Sequence, residues 1–460
     1  MTRPHPFGAS AGQAPKASHS ETARQIVHMA MGGFALLLRW LTWWQAIAIG
    51  GAAVAFNVFA LPRIARGLFR PGDEARPLHG IVLYPIAVLL LLLAFPGRPD
   101  IAAAAWGILA LGDGSATLAG RAIDGPRWPW NREKTFAGSA AFAVVGGAGG
   151  VFLAWWCRGA VQPAPPLAFT LAAPLAAALV AAAVETMPVR LDDNLTVAIS
   201  AGAVLWLASL IDASRAHDAS AMVRSRLAWA LVANIAVAWT GYRARTVSVS
   251  GALAGSIIGI VIFSALGWPG WVLLLVTFLS AAITSRMGWQ RKMILGIAEE
   301  RGGRRGAGNA IANTGVAALA ALLVLLAADP LVARIAFAAA LTSGGSDTIA
   351  SEIGKAWGRR TWSMTTLGRV PPGTSGAMSL EGTAAGIAGA FALAAIAIAL
   401  GITPAAALLP IVIAATLGAL LESWLGATLE APGFLNNDML NFINTSAAAA
   451  LAVCIFHSIA

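Results

Sequence analysis

Cysteine is nearly missing from this chain: 460 residues hold two, Cys157 and Cys454, far apart and in or beside apolar segments. A disulfide framework and a cysteine metal site are thereby excluded. Charge is scarce as well, at 11% of residues against 58% hydrophobic. No GxxxxGK run followed by Ser or Thr occurs, so a Walker-type phosphate loop is absent. Residues 1–20 have no apolar core of their own and read as a disordered tail, not a cleaved signal peptide. What the chain does have is apolar surface from end to end, with 17 Trp and a mean hydropathy of +0.73. A soluble domain cannot hide that much, so the class is polytopic membrane protein.

Apolar windows mark about fifteen segments, several too short to cross ~30 Å of hydrocarbon as straight helices. The longer ones include Trp43–Leu61, Phe136–Trp156, Gly251–Leu266 and Gly270–Thr284, the shorter ones Ile26–Leu38, Leu227–Trp239 and Val332–Leu341. The expected fold is all-α and polytopic, with about 14–15 transmembrane helices in two related halves, some of them broken. Alternate counting gathers most basic residues on one face, among them Arg63, Arg66, Arg70, Arg132, Lys134, Arg291, Lys292 and Arg305. By the positive-inside rule that face is cytoplasmic, at the inner membrane of the cell. The formal charge of +10 is then a topology signal and not a nucleic-acid footprint. Arg215, Arg224 and Arg226 fall on the opposite face in this count.

The polar blocks come twice. "LGDGSATLAG" (111–120), "REKTFAGS" (132–139) and "VETMPVRLDDNL" (184–195) occupy the first half. "GGSDTIASEIG" (344–354), "PPGTSGAMSLEGT" (371–383) and "LESWLGATLEAPGFLNNDMLNF" (421–442) occupy the second. Each set runs from a Gly/Asp block, through a Gly-hydroxyl block opening a span, to a carboxylate and Asx cluster two spans later. Such order is the mark of parallel duplication. The expected domains are 21–215 and 225–460.

These residue types suit phosphate and magnesium. Helix-start N–H groups bind phosphate oxygens, offered by Thr135, Gly138 and Ser139 beside Lys134 and Arg132. Gly373, Thr374, Ser375, Gly376, Ser379, Gly382 and Thr383 form a longer version, with Arg369 nearby. Magnesium takes one or two carboxylates and completes its shell with water and phosphate oxygens. Asp113, Glu185, Asp192 and Asp193 offer that in the first half, and Asp347, Glu352, Glu381, Glu422 and Asp438 in the second. Ionisable residues within spans cost about 2.5–3.5 kcal/mol each and are functional by default. Against this stand plainer readings: helix caps for Asp113 and Asp347, solvated loops for Asp192, Asp193 and Asp438, packing for His28, and helix contacts for Gly255 and Gly259. Asn309 and Asn313 lie one turn apart at a helix start, where they could hydrogen-bond a phosphate.

"ARQIVHMAMGG" (23–33), "YPIAVLLLLLAF" (84–95) and the three first-half blocks resemble the CTP-dependent phytol and dolichol kinase family. "TGYRARTVSVSGALAGSIIG" (240–259), "SDTIASEIG", "VPPGTSGAMSLEGTAAG" (370–386) and "NNDMLNFINT" (436–445) resemble the phytyl-phosphate kinase family, also called domain of unknown function 92. Consecutive kinases are implied, with an isoprenoid alcohol carried to its monophosphate and then its diphosphate by CTP or another nucleotide with magnesium. The resemblance places Asp113, Lys134, Gly138, Ser139, Asp192, Asp193 and Asn194 in the first nucleotide site, and Arg24 and His28 in an amino-terminal signature. It places Asp347, Glu352, Gly373, Thr374, Ser375, Glu381, Glu422, Asn437, Asp438 and Asn441 in the second. Ala137 stands where dolichol kinases have Glu, and Ala198 where a Pro is common. Lys134, Asp193 and Asp113 are the expected catalytic groups of the first half; Asp347, Glu381 and Asp438 are those of the second. Two rival classes share these features: a cytidylyltransferase that makes CDP-lipids, and a transporter built from parallel repeats.

Overall fold

The computed structural model describes residues 21–64, 80–123, 125–188, 190–298, 303–430 and 433–459. The expected tail, Arg66 and Arg70 lie outside them. The chain is an all-α polytopic membrane protein that divides into two compact units between Ser209 and Leu210.

The first unit contains α1 (Glu21–Met31), α2 (Trp43–Ile64), α3 (Gly80–Ala94), α4 (Pro99–Ala122), α5 (Phe136–Ala160), α6 (Leu167–Glu185) and α7 (Asp193–Ser209). Helix α6 shows how the sequence sorts its faces. Ala173, Ala177 and Ala181 are buried one turn apart, where small side chains let helices approach closely. Leu171, Leu175 and Leu179 are exposed on another face, as lipid-facing positions require. Its core gathers Ile101, Ile108, Leu109, Phe142 and Leu205.

The second unit contains α8 (Ala216–Arg243), α9 (Val249–Arg286), α10 (Trp289–Ile294), α11 (Ala307–Leu326), α12 (Pro330–Trp357), α13 (Leu380–Ala399), α14 (Ala405–Glu430) and α15 (Asn437–Ile459). Between α12 and α13, β1 (Thr361–Ser363) pairs antiparallel with β2 (Ala377–Ser379).

Among the described residues ten helices are long and apolar enough to span, and Ile81–Ala94 and Asp193–Ser209 are shorter apolar ones. The window count differs for physical reasons. Arg224 and Arg226 lie within α8, not in a loop, and the Leu227–Trp239 window is the middle of that helix. Arg226 Nη1 donates to the carbonyls of Ser264 and Ala265, next to the break at Gly267 (φ 65°, ψ −154°) that parts the two halves of α9. Carbonyls freed by a break need such a donor inside a membrane protein. The helices expected to end at Asp113 and Asp347 instead run through them. Helix α4 passes Asp113 by a π-helical turn over Ile108–Asp113, and α12 continues to Trp357.

The duplication has a three-dimensional counterpart within each unit. Thr135 caps α5 by accepting from Gly138 N at 3.1 Å, and Ser379 caps α13 by accepting from Gly382 N at 3.1 Å. A methyl at Gly138 would stand 2.9 Å from Ala116 O, and one at Gly382 2.6 Å from Ala350 O. These glycines therefore let α5 cross α4, and α13 cross α12, with backbones touching. Ala116 follows Asp113 by three residues and Ala350 follows Asp347 by three, so both crossings keep one register. Thr135→Ala and Ser379→Ala are each expected to cost about 1 kcal/mol through the lost cap. Thermal unfolding in detergent reads this, and a Thr135→Ser variant near wild type is the control.

Candidate functional site

In the first unit, α1, α4, α5, α6 and α7 converge on a polar cavity of about 430 Å³. Lys134 is its hub. Its Nζ donates to Glu185 Oε1 and Asp193 Oδ2, each at 2.7 Å. Burial disfavours the ammonium, yet Asp193 and Glu185 outweigh it and hold the Lys134 pKa above the usual lysine range. The residue is a fixed positive charge. Asp113, Glu185 and Asp193 each offer an oxygen within 4.8 Å of the others. His28 Nε2 stands 3.6 Å from Asp113 Oδ2.

The loop before α5 fixes Lys134 through tryptophans. Trp128 packs against Phe136 with the rings tilted and their centroids 3.9 Å apart, and its Nε1 donates to Ser139 Oγ. Trp130 Nε1 donates to Thr186 Oγ1 just past Glu185. Sequence reasoning passed over both, because a Trp in a membrane protein reads first as an interfacial anchor. It also passed over Gln25, Thr117, Gly120, Arg121 and Glu133, which line the cavity. Thr117, Gly120 and Arg121 follow Asp113 at roughly helical spacing, and that was their only signal.

Several expected roles change. Gly138 N and Ser139 N donate to Thr135, and Ser139 Oγ is shared between Thr135 O and Trp128. These N–H groups are engaged by the cap and the first helical turn, while Thr135, Gly138 and Ser139 all line the cavity. Asp192 accepts from Asn194 N and Nδ2 and opens α7, a cap role on the cavity wall. The second unit repeats the pattern, with Gly382 N held by Ser379. Gly376 (φ 70°) packs against Ser423 and Ala427, and Gly373 (φ 86°) against Ile297. Thr374 Oγ1 donates to Pro371 O within the same turn.

The second unit's polar cavity, about 300 Å³, brings together Asp347, Glu422, Lys355, Arg305, Asn437 and Asn441. Glu422 Oε2 accepts from Asn444 Nδ2 at 2.7 Å, and Asn444 Oδ1 accepts from Ser343 Oγ. Asp347 and Glu422 thus stand as Asp113 and Glu185 do. Glu381 and Asp438 are not on the lining. Glu381 Oε1 accepts from Arg359 N, and Asp438 lies against Gly308. Glu352 lines the cavity, but its oxygens are taken by Lys292 at 2.5 Å and Lys355 at 2.8 Å. Met378 holds the position of Lys134 before the cap residue.

The first cavity is lined by five carboxylates and three cations, the second by four and two. In the first unit that formal excess is what one divalent cation balances; in the second, Lys292 behind the lining also pairs with Glu352 and leaves an excess of one, and in both the acidic donors are hard oxygens suited to magnesium. Asp113, Glu185 and Asp193 fit that ion in the first unit, and Asp347 with Glu422 in the second.

The model of the family described as integral membrane protein DUF92 matches residues 232–449. The uncharacterized membrane protein sll0875 of Synechocystis is 39% identical over 200 residues, 43% of this chain and 78% of its own length. Protein VTE6, chloroplastic, of Arabidopsis thaliana is 37% identical over 214 residues, 45% of this chain and 64% of its own. The probable phytol kinase 3, chloroplastic, of Glycine max is 28% identical over 198 residues, 38% of this chain and 60% of its own. No solved structure matches. By the residues matched and the likeness to the cyanobacterial protein, the chain belongs to the DUF92 integral membrane protein family.

Proposed function

We propose that this chain is an isoprenoid-alcohol kinase acting in two steps at the cytoplasmic face of the inner membrane. The first unit phosphorylates a phytol-like or polyprenol-like alcohol, and the second phosphorylates the resulting monophosphate. CTP or another nucleoside triphosphate is the donor. The observation that carries this reading is the Asp113–Glu185–Asp193 cluster around Lys134, with the Asp347–Glu422 pair at the same place in the second helix repeat. The name of the Glycine max relative supports the substrate class.

Magnesium, when bound, neutralises charge on the nucleotide's phosphates. Asp113, Glu185 and Asp193 would hold it in the first unit. Lys134 fixes the positions of Glu185 and Asp193 and puts a permanent positive charge beside the transferred group. Asp113 is the member of the cluster that Lys134 Nζ does not bond, which leaves a carboxylate oxygen to take the proton of the lipid hydroxyl. The second acceptor is already anionic and needs charge screening more than a base. Lys355 and Arg305 line that cavity.

Purified protein given magnesium, CTP and phytol should release CDP and form phytyl monophosphate, then diphosphate. Chelation should abolish both products and added magnesium restore them. A CDP-lipid with pyrophosphate would replace this reading with a cytidylyltransferase, and ion-driven solute uptake without nucleotide turnover would replace it with a transporter.

A further inference from the structure

A second cavity in the second unit has a different character. About 130 Å³ in volume, it lies among α8, both halves of α9, the start of α11 and the middle of α12. Its walls are apolar, with Val237, Ile258, Trp271, Leu274 and Phe278. Arg305, Asn309, Asn313 and Thr348 line it too, and the same four residues line the cavity of Asp347 and Glu422. An apolar space and a polar one thus share one polar wall.

Two further observations point to an occupant. Asn313 Nδ2 donates to Asn309 O, but Asn313 Oδ1 is shielded from solvent and has no hydrogen-bond partner. A buried amide oxygen left so is costly and is expected where a ligand completes the set. The second observation concerns the glycines of α9. Gly251 packs against Arg305 O and Gly259 against Asn234 Oδ1, whereas a Cβ at Gly255 would meet nothing within 4 Å. Gly259 is the helix contact its spacing implied. Gly255 is not; it borders open space in the cavity wall.

We propose that this apolar cavity receives the head-proximal isoprene unit of a prenyl monophosphate, with the phosphate held at the Arg305–Asn309–Asn313 wall and turned toward Asp347 and Glu422. The inference rests on the kinase reading and adds where its second acceptor sits. An apolar cavity of about 150 Å³ accommodates a benzene. A slightly smaller one therefore takes a five-carbon branched unit and no more, leaving the rest of the tail to the bilayer. Charge fits as well: Arg305 supplies a cation at the junction, and Asn313 Oδ1, an acceptor whose N–H₂ is held by Asn309 O, can take a hydrogen bond from the P–OH of a singly ionised phosphate monoester.

The test is photolabelling of the wild-type protein in lipid nanodiscs with a prenyl monophosphate carrying a diazirine on its first isoprene unit. Label is expected within residues 234–258 and 271–281, and excess unlabelled prenyl monophosphate should remove it. Gly255→Leu, which fills the space, should raise KM for the prenyl monophosphate about tenfold or more and leave the nucleotide KM unchanged. Gly255→Ala, which adds one methyl, should raise the KM for the prenyl monophosphate by a smaller factor. Label confined to other helices, or an unchanged KM in a folded Gly255→Leu protein, overturns the assignment. If the Leu variant does not fold, the wild-type label decides. Labelling needs no phosphoryl transfer, so label in the cavity without any diphosphate product would remove the kinase reading and keep the site. Diphosphate formation with label elsewhere would do the reverse.

Discussion

Asp347→Asn is expected to halt conversion at the monophosphate, which then accumulates while the prenol is consumed at the wild-type rate. Asp113→Asn should do the opposite: no monophosphate from the alcohol, but normal diphosphate from monophosphate supplied directly. The exchange keeps shape and removes the anion. Each aspartate sits within a long helix at the wall of its own cavity, so no neighbouring loop residue can swing in to replace it. Loss of a positioned acid or base typically costs about 10²–10⁴-fold, and loss of a metal ligand adds to that. Product analysis by mass spectrometry separates the cases. Should folded Asp113→Asn protein lose both conversions, the two steps share one centre and the assignment of one step to each unit fails.

Lys292→Met is expected to be the most destabilising of the charge removals. Lys292 is 1% exposed and its partner Glu352 2%. Besides the ion pair, Lys292 Nζ donates to the carbonyls of Thr284 and Ser285 in the last turn of α9. Removing the lysine takes a donor from both carbonyls, of which Thr284 O keeps Met287 N, and leaves a buried carboxylate with Lys355 alone. Breaking a buried pair from one side costs about 3–5 kcal/mol. For a unit of this size that lowers Tm by about 10 °C. Lys355, on the same carboxylate but 28% exposed, supplies the comparison. Lys355→Met should cost about 1 kcal/mol or less, and Lys292→Met with Glu352→Gln should regain part of the loss. A Lys292→Met shift no larger than that of Lys355→Met would show that the pair contributes little. Lys292 counted in the sequence as one more basic residue of a topology-setting loop. Nothing in its neighbours foretold burial, since its partner lies 60 residues away.

Residues carried by a repeated order of blocks are legible in the sequence. Asp113, Lys134, Glu185 and Asp193 were named together because each half repeats one order of blocks, and in the first unit they do line one cavity. In the second unit the same reasoning paired Asp347 with Glu381 and Asp438. Glu422, expected as a metal ligand, does share the cavity of Asp347, whereas the start of α13 turns Glu381 toward Arg359. The side of a helix start that a residue faces depends on the cap and on the crossing angle, neither of which composition records. For the same reason composition does not show that the N–H groups of Gly138 and Gly382 are engaged by the caps Thr135 and Ser379.

Sequence alone determined the solvent of this protein, its helical class and the order in which polar blocks recur, because hydropathy and helical period are properties of contiguous residues. Tertiary structure decided which carboxylates meet, which lysine is structural and which glycine borders open space. Those outcomes turn on how helices distant along the chain cross, and a crossing is set by side-chain shape on both partners at once.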